Sequence, residues 1–158
     1  MSDNNIDESA AAGLREFTIV REFDAPRALV FEAWTDVEQM AKWAGPRGFT
    51  TPASSIELGS KPGDPQRMTM IDDSTGTEYA TTGHLVEIVE PERLVFTWGD
   101  PTMPQDGEHE SVITVTFAES DGKTTMTFHL RASDPLSPED GAREGWAQSL
   151  DRLAETLS

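Results

Sequence analysis

Ser137-Pro138-Glu139-Asp140-Gly141-Ala142-Arg143-Glu144-Gly145-Trp146-Ala147-Gln148-Ser149-Leu150-Asp151-Arg152-Leu153-Ala154-Glu155-Thr156-Leu157 reads as one long amphipathic helix. Ser137 is suited to cap it, Pro138 fits a first turn, and Glu139 and Asp140 favour the positive end of the helix dipole. Ala142, Trp146, Leu150, Leu153 and Leu157 form one apolar stripe, with Arg143, Glu144, Gln148, Asp151, Arg152 and Glu155 off it. Some twenty residues of helix span roughly 30 Å, enough to lie across a whole sheet. Such a stripe needs a sheet to cover, and the preceding residues supply one.

Between Phe49 and Leu130 the sequence is strands and turns. Runs rich in β-branched and aromatic residues occupy Phe49 to Leu58, Arg67 to Ile71, Thr77 to Val89, Leu94 to Trp98, Val112 to Ala118 and Thr124 to Leu130. Asp72-Asp73-Ser74-Thr75-Gly76, Glu90-Pro91-Glu92 and Asp121-Gly122 punctuate them, the last a good hairpin turn. Connections this short force antiparallel pairing, because parallel crossovers need a dozen residues or more. A seventh strand precedes these: Phe17, Ile19 and Phe23 alternate with polar residues. Pro26 opens a short helix that buries Val30, Phe31 and Trp34. Thr35 and Glu38, at capping-box spacing, open a second at Val37, which presents Met40 and Trp43 and stops at Gly45-Pro46.

The fold class is therefore α+β: a curved seven-stranded antiparallel sheet around a long C-terminal helix, with two short helices after the first strand. Residues 1–13 are expected to be a disordered tail and 14–158 one domain. A curved sheet around one helix closes imperfectly. A hollow is expected beside the helix's N-terminal half, where Gly141, Ala142, Gly145 and Ser149 leave room.

Composition narrows the chemistry. No cysteine is present, so disulfides, thiolate catalysis, thiolate zinc sites and iron–sulfur clusters are excluded. Twenty-nine acids against twelve Lys and Arg give a net charge of −17, which repels phosphate backbones and argues against nucleic acid as a partner. No apolar run approaches the ~20 residues that span a bilayer, so no membrane insertion is expected, and a cytoplasmic location is the default. The chain is expected to be a monomer or a homodimer.

Ordered motifs carry a resemblance. Phe23-Asp24-Ala25-Pro26-Arg27-Ala28-Leu29-Val30-Phe31-Glu32-Ala33-Trp34-Thr35-Asp36 resembles the opening of the START-like (SRPBCC) superfamily, in the branch related to the activator of the ninety-kilodalton heat-shock-protein ATPase. In order follow Trp43-Ala44-Gly45-Pro46, Gly48-Phe49-Thr50, Gly76-Thr77-Glu78-Tyr79, Pro91-Glu92-Arg93-Leu94-Val95-Phe96-Thr97-Trp98, Val112-Ile113-Thr114-Val115-Thr116-Phe117, and Glu144-Gly145-Trp146 with Ser149-Leu150-Asp151-Arg152-Leu153. The resemblance implies the helix-grip fold, with an apolar cavity between sheet and helix that holds a small, mostly apolar ligand such as a lipid, a polyketide or an aromatic. Two departures stand out. Ala44 replaces a tryptophan that the family often carries, and Ser60 to Met68 replaces its glycine pair and aromatic.

The candidate ligand-binding residues are Trp34, Trp43, Met68, Met70, Tyr79, His84, Phe96, Trp98, Trp146 and Ser149. Indoles can line an apolar pocket and offer an N–H, and methionines make an adaptable wall; ordinary core is the alternative for each. His84, His109 and His129 have no metal-ligand spacing, and no phosphate loop or nucleophile elbow is present. No catalytic residue, metal or cofactor is assigned. Arg21, if it faces inward with Phe23, needs a carboxylate partner or anchors a ligand acid. Three readings follow: a binding protein for a small apolar molecule, a cyclase- or hydrolase-type enzyme using the same cavity, or a chaperone-associated interaction module.

Overall fold

A computed structural model describes residues 16–99, 101, 110–132 and 142–157. The elements are β1 (Glu16–Phe23), α1 (Arg27–Thr35), α2 (Val37–Trp43), β2 (Phe49–Thr50), a 3-10 turn (Ala53–Ser55), β3 (Pro65–Asp72), β4 (Glu78–Val89), β5 (Arg93–Gly99), β6 (Glu110–Ser120), β7 (Lys123–Arg131) and α3 (Ala142–Leu157). The strands make one seven-stranded antiparallel sheet in the order β1-β7-β6-β5-β4-β3-β2, curled into a half-barrel. From β2 to β7 it is a meander, and β1 is added beside β7.

Strand alternation decides which face is buried. Ile19 stands opposite Phe128, Val115 opposite the same Phe128, Phe117 opposite Met126, and Phe96 opposite Ile113. All of these side chains are buried, and with Leu150 and Leu153 of α3 they form the core. Thr18, Val20, Thr125 and Val112 point to the opposite, exposed face. The Asp121-Gly122 turn has φ of +55° and +76°, the left-handed pair that a tight two-residue hairpin between Ser120 and Lys123 requires.

Three local expectations are corrected. Phe49 to Leu58 is not one strand: pairing with β3 ends at Thr50, and Pro52, which has no N–H for a ladder, leads into the 3-10 turn. Only Glu57 pairs again, in an isolated bridge with Arg67. The α2 cap is Asp36, whose carboxylate accepts from Gln39 N at 3.0 Å, while the Thr35 hydroxyl donates back to Phe31 O at 3.1 Å. Pro26 stands at the N-cap of α1 with extended ψ of 151°, one position before the first turn. The expected tail over 1–13, the Ser137-Pro138 start of the long helix, the small residue Gly141 and the His109 loop lie outside the described residues. The sixteen residues of α3 span about 24 Å. Among the described residues no helix is long and apolar enough to cross a membrane.

Candidate functional site: a tryptophan-lined cavity between sheet and helix

Four tryptophans from four elements meet in one array. The Trp34 ring of α1 lies 4.7 Å from Trp43 of α2 and 6.4 Å from Trp146 of α3, and Trp146 lies 5.3 Å from Trp98 of β5. Phe96 and Phe128 join from the sheet at 6.4 Å and 6.2 Å from Trp34. The array does not fill the space between α2, α3 and the β3–β5 part of the sheet. A cavity of about 260 Å³ remains, lined by Trp34, Trp43, Met68, Met70, Phe96, Trp98, Trp146 and Ser149 among the residues expected to contact a ligand. Of the small residues expected to leave room, Gly145 and Ser149 line the hollow together with Trp146 of the same helix.

Tyr79 and His84 are not in that lining. Tyr79 stands opposite Met70, one pair from the tip of the β3–β4 hairpin, and is 48% exposed against Phe49. The sheet runs out before the cavity wall reaches it. His84 precedes the buried Leu85 and alternation sends it to the other face, where its Nδ1 lies 3.3 Å from Thr97 Oγ1. His129 is also on the outer face, with Nε2 2.8 Å from Glu16 Oε1. Arg21 does share the inner face, but its guanidinium reaches Asp151 of α3 at 3.3 Å on the solvent border, not the cavity.

The lining also includes Met40, Ala44, Gly45, Pro46, Leu58, Gln66, Arg67 and Gly145. Gln66 was legible in principle: it shares the parity of Met68 and Met70 on β3, and a polar residue on an apolar face is the more informative observation. It is 9% exposed and its Oε1 accepts from Gly59 N. Ser149 is 2% exposed. The indole N–H of Trp43 donates to Ala33 O at 3.0 Å, whereas that of Trp34 is buried without a partner. Arg67 is held outward by Glu57 Oε1 at 2.9 Å and Thr82 at 3.3 Å. Among the described residues the lining holds no carboxylate and no imidazole, and no cluster of three or more potential ligands is placed to hold a metal ion.

One loop borders the cavity, and a second lies behind its edge at Leu58 and Gln66. Residues 44–49 are pinned to α3 by Arg152, whose Nη1 donates to Gly45 O at 2.8 Å and reaches Pro46 O and Phe49 O at 3.3 Å. These are carbonyls at and beyond the α2 C-terminus, where a cation is favoured. Arg47 N adds a bond to Gln148 Oε1 at 3.0 Å, and the Arg47 guanidinium bonds Glu155, holding that carboxyl below its usual range. The loop 59–64 sits behind Leu58 and Gln66. Its Asp64 carboxylate accepts from Ser60 N at 2.9 Å and Lys61 Nζ at 3.1 Å; the Ser60 N–H, then the Lys61 side chain, hold it below the usual carboxylate range.

This geometry, a curled antiparallel sheet gripping a C-terminal helix over an apolar hollow, has known counterparts. The model of the family described as Activator of Hsp90 ATPase homolog 1-like protein matches residues 24–158. The chain belongs to that family. It is thereby a member of the START-like (SRPBCC) superfamily. A solved protein of Chromobacterium violaceum is similar at 25% identity and a TM-score of 0.79, over 90% of this chain and 97% of that one. A protein of Nitrosomonas europaea, 22% identical, matches with a TM-score of 0.78 over 92% and 95%. One of Mycobacterium smegmatis, 24% identical, gives 0.73 over 92% and 91%. No curated protein matches.

Proposed function

We propose that this member of the family binds a small, mostly apolar molecule in the cavity between the sheet and α3. The observation that carries the reading is the unfilled, indole- and thioether-lined space itself. Protein interiors pack to crystal density, and residues that leave a hollow of this size forgo contacts that a guest restores. An engineered apolar cavity of about 150 Å³ holds a benzene, so 260 Å³ suits a substituted ring or a fused pair rather than a whole lipid. The methionines Met40, Met68 and Met70 let the wall adapt to more than one shape.

The cyclase or hydrolase reading requires a general acid or base in the hollow, and the described lining supplies none. The chaperone reading requires a contiguous apolar patch, whereas among the described residues the exposed large apolar side chains Val20, Leu29, Tyr79, Val86, Val89 and Val112 are spread over β1, α1, β4 and β6. Native mass spectrometry of the purified chain, with melting temperatures across a panel of one- and two-ring compounds, tests the binding reading. A retained guest or a dose-dependent rise in melting temperature is expected. No retained mass and no rise with any compound would reject it.

A further inference from the structure

Resting on that binding reading, we infer that the guest carries an uncharged hydrogen-bond acceptor, a ketone- or quinone-like carbonyl oxygen, held by Gln66 of β3 and Ser149 of α3. Both side chains are buried and both line the cavity. The Gln66 carbonyl oxygen is occupied by the Gly59 N–H, which fixes the amide's orientation and leaves its NH₂ without a partner among the described residues. The Ser149 hydroxyl has no partner among the described residues, not even a carbonyl of its own helix, although Thr156 on the same helix makes that bond to Arg152 O. Both donors border the hollow rather than packed protein, so a guest that displaces water from them must offer an acceptor in its place. Here two donors without a protein partner among the described residues come from the sheet wall and the helix wall of one mostly apolar hollow. They make a site with more donors than acceptors, whereas the Trp34 indole N–H is sealed in the packed core and takes no part.

The charge of the guest follows from the same inventory. Among the described lining residues an anion would meet no free cation, since Arg67 is turned away to Glu57 and Thr82, and it would enter against the field of a −17 chain. A cation would meet no carboxylate among the described lining residues and would face the positive ends of the donor dipoles. A hydrocarbon would fit but leave the amide and hydroxyl unpaired, losing the difference that a site built to hydrogen-bond its ligand enforces.

The test is calorimetric titration of the full chain with four two-ring probes of similar size: alpha-tetralone, tetralin, naphthoate and a tetralin ammonium. Tetralone is expected to bind about twenty-five-fold more tightly than tetralin, from two neutral hydrogen bonds at about five-fold each, and more tightly than either charged probe. Gln66→Glu retains the oxygen that accepts from Gly59 and replaces the free donor, so tetralone binding should fall about ten-fold with tetralin changed less than about two-fold. Ser149→Ala should cost tetralone about five-fold. In the unaltered chain, the side-chain amide signals of Gln66 should shift with tetralone and not with tetralin, a readout independent of how well the variants fold. Equal binding of tetralone and tetralin, or tightest binding of the ammonium on the indole faces, would overturn the acceptor assignment while leaving the cavity reading intact. Binding of none of the four would remove both.

Discussion

A Cβ at position 83 would stand 2.1 Å from the carbonyl oxygen of Thr97 and 2.6 Å from its carbonyl carbon. Both are backbone atoms of the neighbouring strand and cannot swing aside. Gly83 lets β4 press against β5 just before the register shift between Leu85 and Glu87. Gly83→Ala is expected to destabilise the fold by about 3 kcal/mol, measured by urea unfolding; a loss under about 0.5 kcal/mol would show that the strands can part freely. Gly145 is the opposite case. Its Cβ would meet only Pro46 Cγ at 3.9 Å, and its backbone is helical. Gly145→Ala should stabilise α3 by about 0.5–1 kcal/mol through backbone entropy, seen as a higher urea midpoint.

At the scale of elements, two tethers hold the loops at and beside the cavity. Arg152 gathers the carbonyls of Gly45, Pro46 and Phe49 around one guanidinium and so fixes the 44–49 loop to α3. Arg152→Met keeps the stem and removes the donors. It should cost about 2 kcal/mol and raise amide exchange in residues 44–49 ahead of the sheet. The second tether is the Asp64 carboxylate on the 59–64 loop. Its folded pKa lies below the unfolded value, so its contribution is present at neutral pH and above the unfolded value of about 4. That contribution falls away as pH drops through the lowered folded value. Amides of 59–64 should lose protection in that acid window, and Asp64→Asn should remove this part of the pH dependence.

Strand parity and helical spacing were legible because burial imposes periods of two and of 3.6 on side chains. They placed Met68 and Met70 on one face and Trp34 and Trp146 toward the core. What stayed hidden depends on where an element ends or bends in space. Tyr79 has the right parity but lies at a hairpin tip, and His84 has the wrong parity, which only the buried neighbour Leu85 reveals. Pro52 ended β2 after two residues, a break that β-propensity around it concealed. Gln66 was overlooked because a search for apolar walls passes over the polar residue set among them.

Across the whole molecule the dominant electrostatic fact is surplus negative charge, −17 over 158 residues. The ion pairs Arg47–Glu155 and Arg67–Glu57 are exposed, and such pairs contribute little. Self-repulsion of the remaining acids therefore outweighs them. Added salt shortens the Debye length from about 30 Å at 0.01 M to about 8 Å at 0.15 M. The melting temperature should accordingly rise with sodium chloride over that range; a fall would mean that the ion pairs dominate.

The meeting of Trp34, Trp43, Trp98 and Trp146 at centroid separations of 4.7–6.4 Å has an optical consequence. These are all the tryptophans the chain possesses, so its ultraviolet emission originates from one spot instead of being averaged over the molecule. Excitation absorbed by any indole can pass to its neighbours. The chain's native fluorescence is thus a built-in reporter of events at the hollow, and nearly blind to changes at the far edge of the sheet.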